Sequence, residues 1–435
     1  MINIFNISYK NIKAKPLSSI LNLVLFATGI FIISSLLLTR TLVEEQFNKN
    51  LAGVDLVVGA KGSPLQLILS SLYHIDYPTG NISFAEAEKL KHHPLVKKTI
   101  PLALGDNYLG FRIAGTDHAY VELYQGVLQT GDLWKKDFDA TIGAEVARET
   151  GLKIGDRFAG IHGFIAEGGD RHDEFQYQVT GILERTGTVL DQLILTNVSS
   201  VWKIHSHHHH HEAEANETLH HGDEHEPHKE EHKTEEHSYY SGDLSGEDHH
   251  EEGDTTKEIT SLLLFYRNPM GAVTLPRMIN KNMNMQAASP VIEINRLYSL
   301  IGIGIDSVSL IALILILISG FSIFISLLGA LKERKYELAL MRVLGGGRSK
   351  LFAIVITEGL VIAVSGYFSG MLLSRAGIMI ITRYAGNNFH YDFGSMVNLR
   401  IDFYLFLASI GIGFLSALLP ALKAMKTDIS KTLAG

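Results

Sequence analysis

The sequence predicts a membrane protein: four transmembrane helices plus a large extracytoplasmic α+β domain inserted between the first and second span. Three observations predict it. Four apolar runs are each long enough to cross a hydrocarbon core of about 30 Å. Basic residues gather in the short segments beside those runs. The long stretch between the first and second runs alternates β-branched and aromatic clusters with Gly, Asp and Asn, as short strands do.

Residues 1–16 read as a cytoplasmic amphipathic segment carrying Lys10, Lys13 and Lys15. The first span is 17–39, LSSILNLVLFATGIFIISSLLLT. A cleaved signal peptide also begins basic and turns apolar, but its apolar core is shorter and ends at a small-residue site. The reading is therefore an uncleaved span with its N-terminal side in the cytoplasm. The domain over 40–300 follows. Its strand signals are Val54–Ala60, Phe111–Asp117, Phe175–Leu183, Gln192–Thr196 and Ser261–Arg267. Helical patterning covers Phe84–His92 and Ala140–Gly151, and Ser83 with Glu86 forms a capping-box pattern ahead of the first. The second span is 301–331, the third 351–374 and the fourth 402–422. Between them lie the segment 332–350 and an extracytoplasmic loop, 375–401; a cytoplasmic tail, 423–435, ends the chain.

Charge sets the orientation. Lys332, Arg334, Lys335, Arg342, Arg348 and Lys350 lie between spans two and three, and Lys423, Lys426 and Lys431 follow span four. Short basic segments stay in the cytoplasm, which places 40–300 outside. The alternative, a cytoplasmic 40–300, would put the basic 332–350 segment outside. The formal charge of the chain is −8. Residues 205–254 hold 16 acidic residues against 2 lysines, which leaves 36 basic and 30 acidic residues elsewhere. The acidity is local and describes an insert, not the body of the protein. There is no cysteine, so disulfides and thiolate metal sites are excluded.

Glu333–Gly359, reading ERKYELALMRVLGGGRSKLFAIVITEG, resembles the cytoplasmic segment of the MacB/FtsX/LolC-type (type VII) ABC transporter permeases. The recurrent positions are Arg334, Glu337, Arg342, Leu344, Gly345 and Glu358. The N-terminal ISYKNIKAKPLSSILN, the C-terminal PALKAMKTDISKTLAG, and the segments 142–158 and 179–192 are similar to the same family. The resemblance implies a non-catalytic permease subunit that works as a dimer, with a second copy or a paralogue. A separate ABC ATPase would dock on 332–350, and those six residues would transmit its closure. It further implies a bacterial inner-membrane location and a substrate handled outside the membrane, with an envelope partner in the periplasm or outer membrane. ATP and Mg²⁺ would belong to the partner ATPase.

The residues support that reading on their own terms. Leu338, Met341, Val343 and Leu344 recur at helical spacing, and Gly345–Gly347 would end the helix and allow a turn into span three. Arg334 and Glu337, three apart, would share a face and pair. A basic segment that only anchors the chain would need neither the acidic residues nor the glycine turn. Glu358 begins an apolar run. It is either an interhelical contact or an interfacial residue within reach of water. Asp306, at the outer edge of span two, reads as a solvated end. The chain has no G-x-x-x-x-G-K-[ST] loop, so ATP binding requires another subunit. No Ser-His-Asp or H-E-x-x-H arrangement stands out, no catalytic residue is assigned, and nothing suggests nucleic acid.

The insert 205–254 holds 14 of the 21 histidines, among them His207, His208, His209, His210, His211, His220, His221, His225, His228, His232 and His237. It has too little apolar content to offset ordering entropy, so disorder is expected. Imidazoles with carboxylates suit Zn²⁺. Three readings stand: a metal-responsive loop with zinc as the ion, a solvated acidic linker, and an internal affinity tag. Three functions follow: an ATP-coupled permease, a zinc-sensing scaffold that regulates an envelope partner without transport, and a zinc importer. The spans offer no row of metal ligands for the last.

Overall fold

The computed structural model describes residues 4–14, 16–163, 171–204, 257–389 and 399–426. It divides into two units: residues 1–49 with 294–435, and residues 50–293. The expected insert over 205–254 lies outside the described residues, as does the part of the tail from residue 427 onward.

The second unit is built on β-sheet. Its strands are β1 (Leu56–Gly59), β2 (Ile82–Ser83), β3 (Val96–Tyr108), β4 (Phe111–Thr116), β5 (Leu128–Gly131), β6 (Asp139–Ile142), β7 (Arg157–His162), β8 (Arg171–Leu183), β9 (Leu193–Asn197), β10 (Glu258–Ile259), β11 (Ser261–Tyr266) and β12 (Gln286–Ala288). Among the described residues, ten form one sheet in the order β12-β1-β11-β3-β4-β9-β6-β8-β5, with β7 pairing β3 and β8. Strand β3 joins two halves. Its first part pairs β11, its register slips between Leu104 and Asp106, and its second part pairs β4 and β7. A bulge of this kind bends a strand and re-aims its side chains. Each half accordingly has its own core. One gathers Leu56, Val58, Leu264, Leu275 and Ile279. The other gathers Phe111, Ile113, Ile142, Phe158, Tyr177 and Ile194.

Two local expectations need correction in this unit. Residues 139–142 are strand, pairing Thr141 with Leu195 and Ile142 with Ile194, so the expected helix over Ala140–Gly151 shortens to Ala144–Thr150. Ala140 and Ile142 are buried in the sheet, and Gly143 makes the corner. Ser83 does precede the helix Phe84–Lys91, but its side chain makes no capping bond. Ser83 pairs with Glu258 as a strand residue, and the Phe84 amide donates to the Lys257 carbonyl instead.

The first unit is helical. In chain order the α-helices among the described residues are α1 (Ile4–Ala14), α2 (Pro16–Leu51), α3 (Pro64–Leu72), α4 (Phe84–Lys91), α5 (Ala119–Leu123), α6 (Ala144–Thr150), α7 (198–204), α8 (Met270–Asn282), α9 (Pro290–Glu333), α10 (Lys335–Val343), α11 (Arg348–Phe389) and α12 (Leu399–Met425). Four of them, α2, α9, α11 and α12, are long and apolar enough to cross a membrane. Their outward faces are lipid-like in character: Leu21, Leu310, Phe321, Leu372, Phe403 and Leu415 are large, apolar and exposed. In water such a band would be a liability, and in lipid it is the expected surface.

Helix α9 starts at Pro290, ahead of the expected 301, and α11 runs to Phe389, well into the expected loop 375–401. Hydropathy registers only the apolar part of a helix, so it does not reveal polar continuations. At 1.5 Å per residue, α9 with its 44 residues spans roughly 66 Å, more than twice a hydrocarbon core.

The helices meet through small residues. Gly359 and Ala363 of α11 face Gly413 and Ala417 of α12 closely enough that an added Cβ at either glycine would collide with the facing alanine. Gly366 and Gly370 take Phe26, Ala27 and Ile30 of α2, and Gly29 takes Ile316 of α9. Without a hydrophobic force between helices in lipid, close backbone approach of this sort supplies the packing energy. Polar side chains add pins: Ser18 to Ser326, Ser322 to the Asn22 side chain, and Ser35 to Ser374. Helix α11 is the most enclosed of the four, with 56% of its most apolar window buried against 28–33% for the others.

Candidate functional site

The expected coupling residues lie where α9, α10 and α11 meet α1. The sequence pattern suggests one helix over 332–344. The chain instead breaks at Arg334, whose φ of −97° and ψ of 13° are not helical, and restarts as α10 at Lys335. The break turns the Arg334 side chain inward. One guanidinium nitrogen donates to the Asn11 carbonyl of α1 at 3.0 Å, and the other stands 3.9 Å from Oε1 of Glu358 on α11. Both side chains are largely enclosed, 15% and 10% exposed. Helix α1 is held from a second point, where the Ser8 hydroxyl donates to the Ile354 carbonyl.

This corrects the pairing inferred from spacing. Arg334 binds Glu358 and the Asn11 carbonyl of α1, not Glu337, which is exposed. Glu358 itself is buried and in an interhelical ion pair. An isolated carboxylate at such depth would be costly, and the guanidinium is what permits it.

The other expected residues point elsewhere. Glu337 is exposed, Arg342 is half-buried, and Leu344 is 76% exposed as the C-cap of α10. Tyr336, Leu340, Val343 and Leu344 recur at positions four, seven and eight apart and are all exposed, so α10 presents an apolar stripe outward while Leu338 and Ala339 are buried. The glycine turn is as expected. Gly345 has φ of +91°, its amide donates to the Arg342 carbonyl, and the Gly346 amide donates to the Met341 carbonyl. Together these satisfy the last carbonyls of α10 and reverse the chain into α11.

Sequence reasoning missed a second charged contact on the same helix. Arg375 lies seventeen residues after Glu358, roughly 25 Å along the axis of α11. One of its terminal nitrogens donates to both carboxylate oxygens of Asp402 on α12, at 2.8 and 2.7 Å. The pair is 19% and 14% exposed, and the Tyr367 hydroxyl donates to the Asp402 carbonyl at 2.9 Å. The available signal was an arginine directly after one apolar run and an aspartate at the start of the next.

No group of three or more His, Cys, Asp or Glu suited to a metal occurs among the described residues. All eleven histidines expected to bind zinc, from His207 to His237, lie outside them. Asp306 is exposed, as a solvated end would be.

Residues 309–429 match the family model described as FtsX-like permease C-terminal. Among solved structures, the chain is similar to the periplasmic region of MacB from Actinobacillus actinomycetemcomitans, at 10% identity and a TM-score of 0.30, covering 56% of this chain and 92% of that one. It is also similar to the extracellular domain of the noncanonic ABC-type transporter YknZ from Gram-positive bacteria, at 10% identity and a TM-score of 0.27, covering 54% of this chain and 99% of that one. No curated protein matches the chain.

Proposed function

We propose that this chain, an FtsX-like permease of the MacB/FtsX type and hence a component of an ABC transporter, couples ATP hydrolysis in a separate subunit to movement of its sheet-bearing unit. The observation that carries the reading is the broken helix at Arg334. A segment that only anchored the chain would need no largely enclosed arginine joining three helices. Here α10 offers exposed Tyr336, Leu340, Val343, Leu344 and Glu337 for a partner, while Arg334 ties its base to α1 and α11. A push on α10 would reach the core of the bundle through that side chain.

In this reading the basic segments, including 332–350, lie in the cytoplasm and residues 40–300 outside a bacterial inner membrane. The permease works as a dimer with a second copy or a paralogue, and ATP with Mg²⁺ sits on the partner. Its task is export, lipoprotein extraction or mechanotransmission. The histidine-rich stretch 205–254 supplies a zinc-responsive element, with His207–His211, His220, His221, His225, His228, His232 and His237 as ligands in flexible exchange. The test is the ATPase rate of the complex purified with its partner, measured against free Zn²⁺ with and without 205–254. A zinc response that vanishes with the deletion supports the metal role. Indifference to both removes zinc from the account and leaves the permease reading intact. Should no ATPase associate, the permease reading fails, and a zinc-sensing scaffold that regulates an envelope partner takes its place.

A further inference from the structure

We propose that Arg375 and Asp402 form a positioning latch that makes α11 and α12 move as one body at the end of the bundle away from Arg334. The purpose of the latch rests on the coupling reading above; its geometry does not.

Spans of this kind rarely hold charges, and a buried ion pair is poor evidence of stability, because desolvation offsets most of the attraction. Ordinary helix packing does not require it here. Helices α11 and α12 are already joined nearer their other ends by Gly359 and Ala363 against Gly413 and Ala417. The glycine contact, however, ends well short of residue 375. Beyond it close backbone approach gives way to ring packing, with Tyr367 and Phe368 against Phe406, which leaves a gap in the contacts that fix register.

The latch closes that gap. One nitrogen of Arg375 is shared between both oxygens of Asp402, a short charge-assisted contact. The Tyr367 hydroxyl holds the Asp402 backbone, so the aspartate is fixed at both its side chain and its carbonyl. The neighbouring Ser374 binds Ser35 of α2. Helix α11 is thus pinned by polar contacts at two levels roughly 25 Å apart. At one level it meets Arg334 and, through Ile354, α1. At the other it meets α12 and α2. Displacement entering at Glu358 would leave at Asp402 without being lost to splaying.

The absence of native cysteine makes the test clean. Spin labels on the full chain in lipid bilayers would be placed at Leu372→Cys with Tyr404→Cys, both exposed, to report the latch end. A second pair, Lys350→Cys with Lys423→Cys, would report the opposite end. Asp402→Asn is expected to broaden the first distance distribution and leave the second unchanged. The exchanged pair, Arg375→Asp with Asp402→Arg, is expected to restore the narrow distribution, which a merely structural loss would not do. In the complex with its ATPase, Asp402→Asn should lower coupled turnover roughly tenfold while the ATPase still co-purifies. An unchanged distribution in Asp402→Asn, or a charge exchange that restores neither distance nor turnover, overturns the latch. If the wild-type chain binds no ATPase, the coupling reading fails, and the distance measurements still decide the latch.

Discussion

Helix α11 carries a charged contact at each of two levels, and the two are built differently. At the Arg334 level the ion pair is long, 3.9 Å, and the guanidinium is shared with the Asn11 carbonyl of α1. At the Arg375 level the contact is short, chelates both carboxylate oxygens, and is backed by a tyrosine. The first joins three helices through one side chain sitting at a helix break. The second joins two helices already packed in register. A divided contact at a break can be redistributed by a modest movement of α10, whereas a short contact shared by both carboxylate oxygens tolerates less movement before it is lost. The difference separates a joint from a clamp.

The largest effect should come from breaking the clamp. Asp402→Ala removes the carboxylate that Arg375 contacts, and for a largely enclosed pair the loss should lie near the lower end of the buried-pair range, about 3 kcal/mol. Thermal unfolding of the full chain in bilayers should show a pronounced fall. A drop no greater than that of an exposed substitution such as Glu337→Gln would show that other groups hold Arg375 equally well.

Next is a comparison with the sheet-bearing unit, where His74 is a titratable group held neutral. His74 binds the Tyr120 hydroxyl at 2.9 Å, and burial, with Arg112 adding to it, pushes its pKa down to about 3. An unfolded histidine takes a proton near pH 6.5, so the fold is favoured fully above about that value and loses stability as pH falls from there toward about 3. The slope is at most about 1.4 kcal/mol per pH unit. Unfolding measured between about pH 7 and about pH 5 should show it, and His74→Gln should flatten it. An equal slope in the variant would assign the acid sensitivity to other groups.

The joint should be less sensitive in stability than the clamp and more sensitive in function. Glu358→Gln keeps the shape and a hydrogen-bond acceptor, so about 1–2 kcal/mol is expected. Coupled ATPase turnover should fall further than that figure suggests. Turnover unchanged in this variant would remove Glu358 from the transmission route. Smallest in stability is Glu337→Gln, exposed and within about 0.5 kcal/mol of wild type. A normal melting profile with altered ATPase binding would identify α10's outer face as the docking surface, and unaltered binding would place docking elsewhere.

How much of this is legible in the sequence follows from the physics of each element. The four apolar helices are readable because a run that must meet lipid admits few polar residues. The glycine turn after α10 is readable because a left-handed residue there strongly favours glycine. The partner of Arg334 is not. Pairing by three-residue spacing assumes an unbroken helix, and nothing in ERKYELAL announces a break at the arginine. The clamp escapes sequence reading because Arg375 and Asp402 are separated by the segment between two spans, and their proximity depends on the register set by Gly359 and Gly413. The helical patterning of the following residues carries the expected helix back to Ala140, but Thr141 and Ile142 are β-branched and pairing of Ala140–Ile142 with Thr196 to Ile194 makes them strand. The histidines from His207 to His237 are conspicuous in the sequence and lie outside the described residues.

The most direct test of the central claim is ATPase turnover in the purified complex of this chain with the proposed ABC ATPase, comparing wild type with Arg334→Ala. The expected result is that the ATPase still binds through the exposed face of α10, while turnover no longer responds to the permease and falls roughly tenfold. Turnover equal to wild type with the arginine gone would contradict the coupling role, because the side chain that ties the base of α10 to α1 and α11 would then carry nothing.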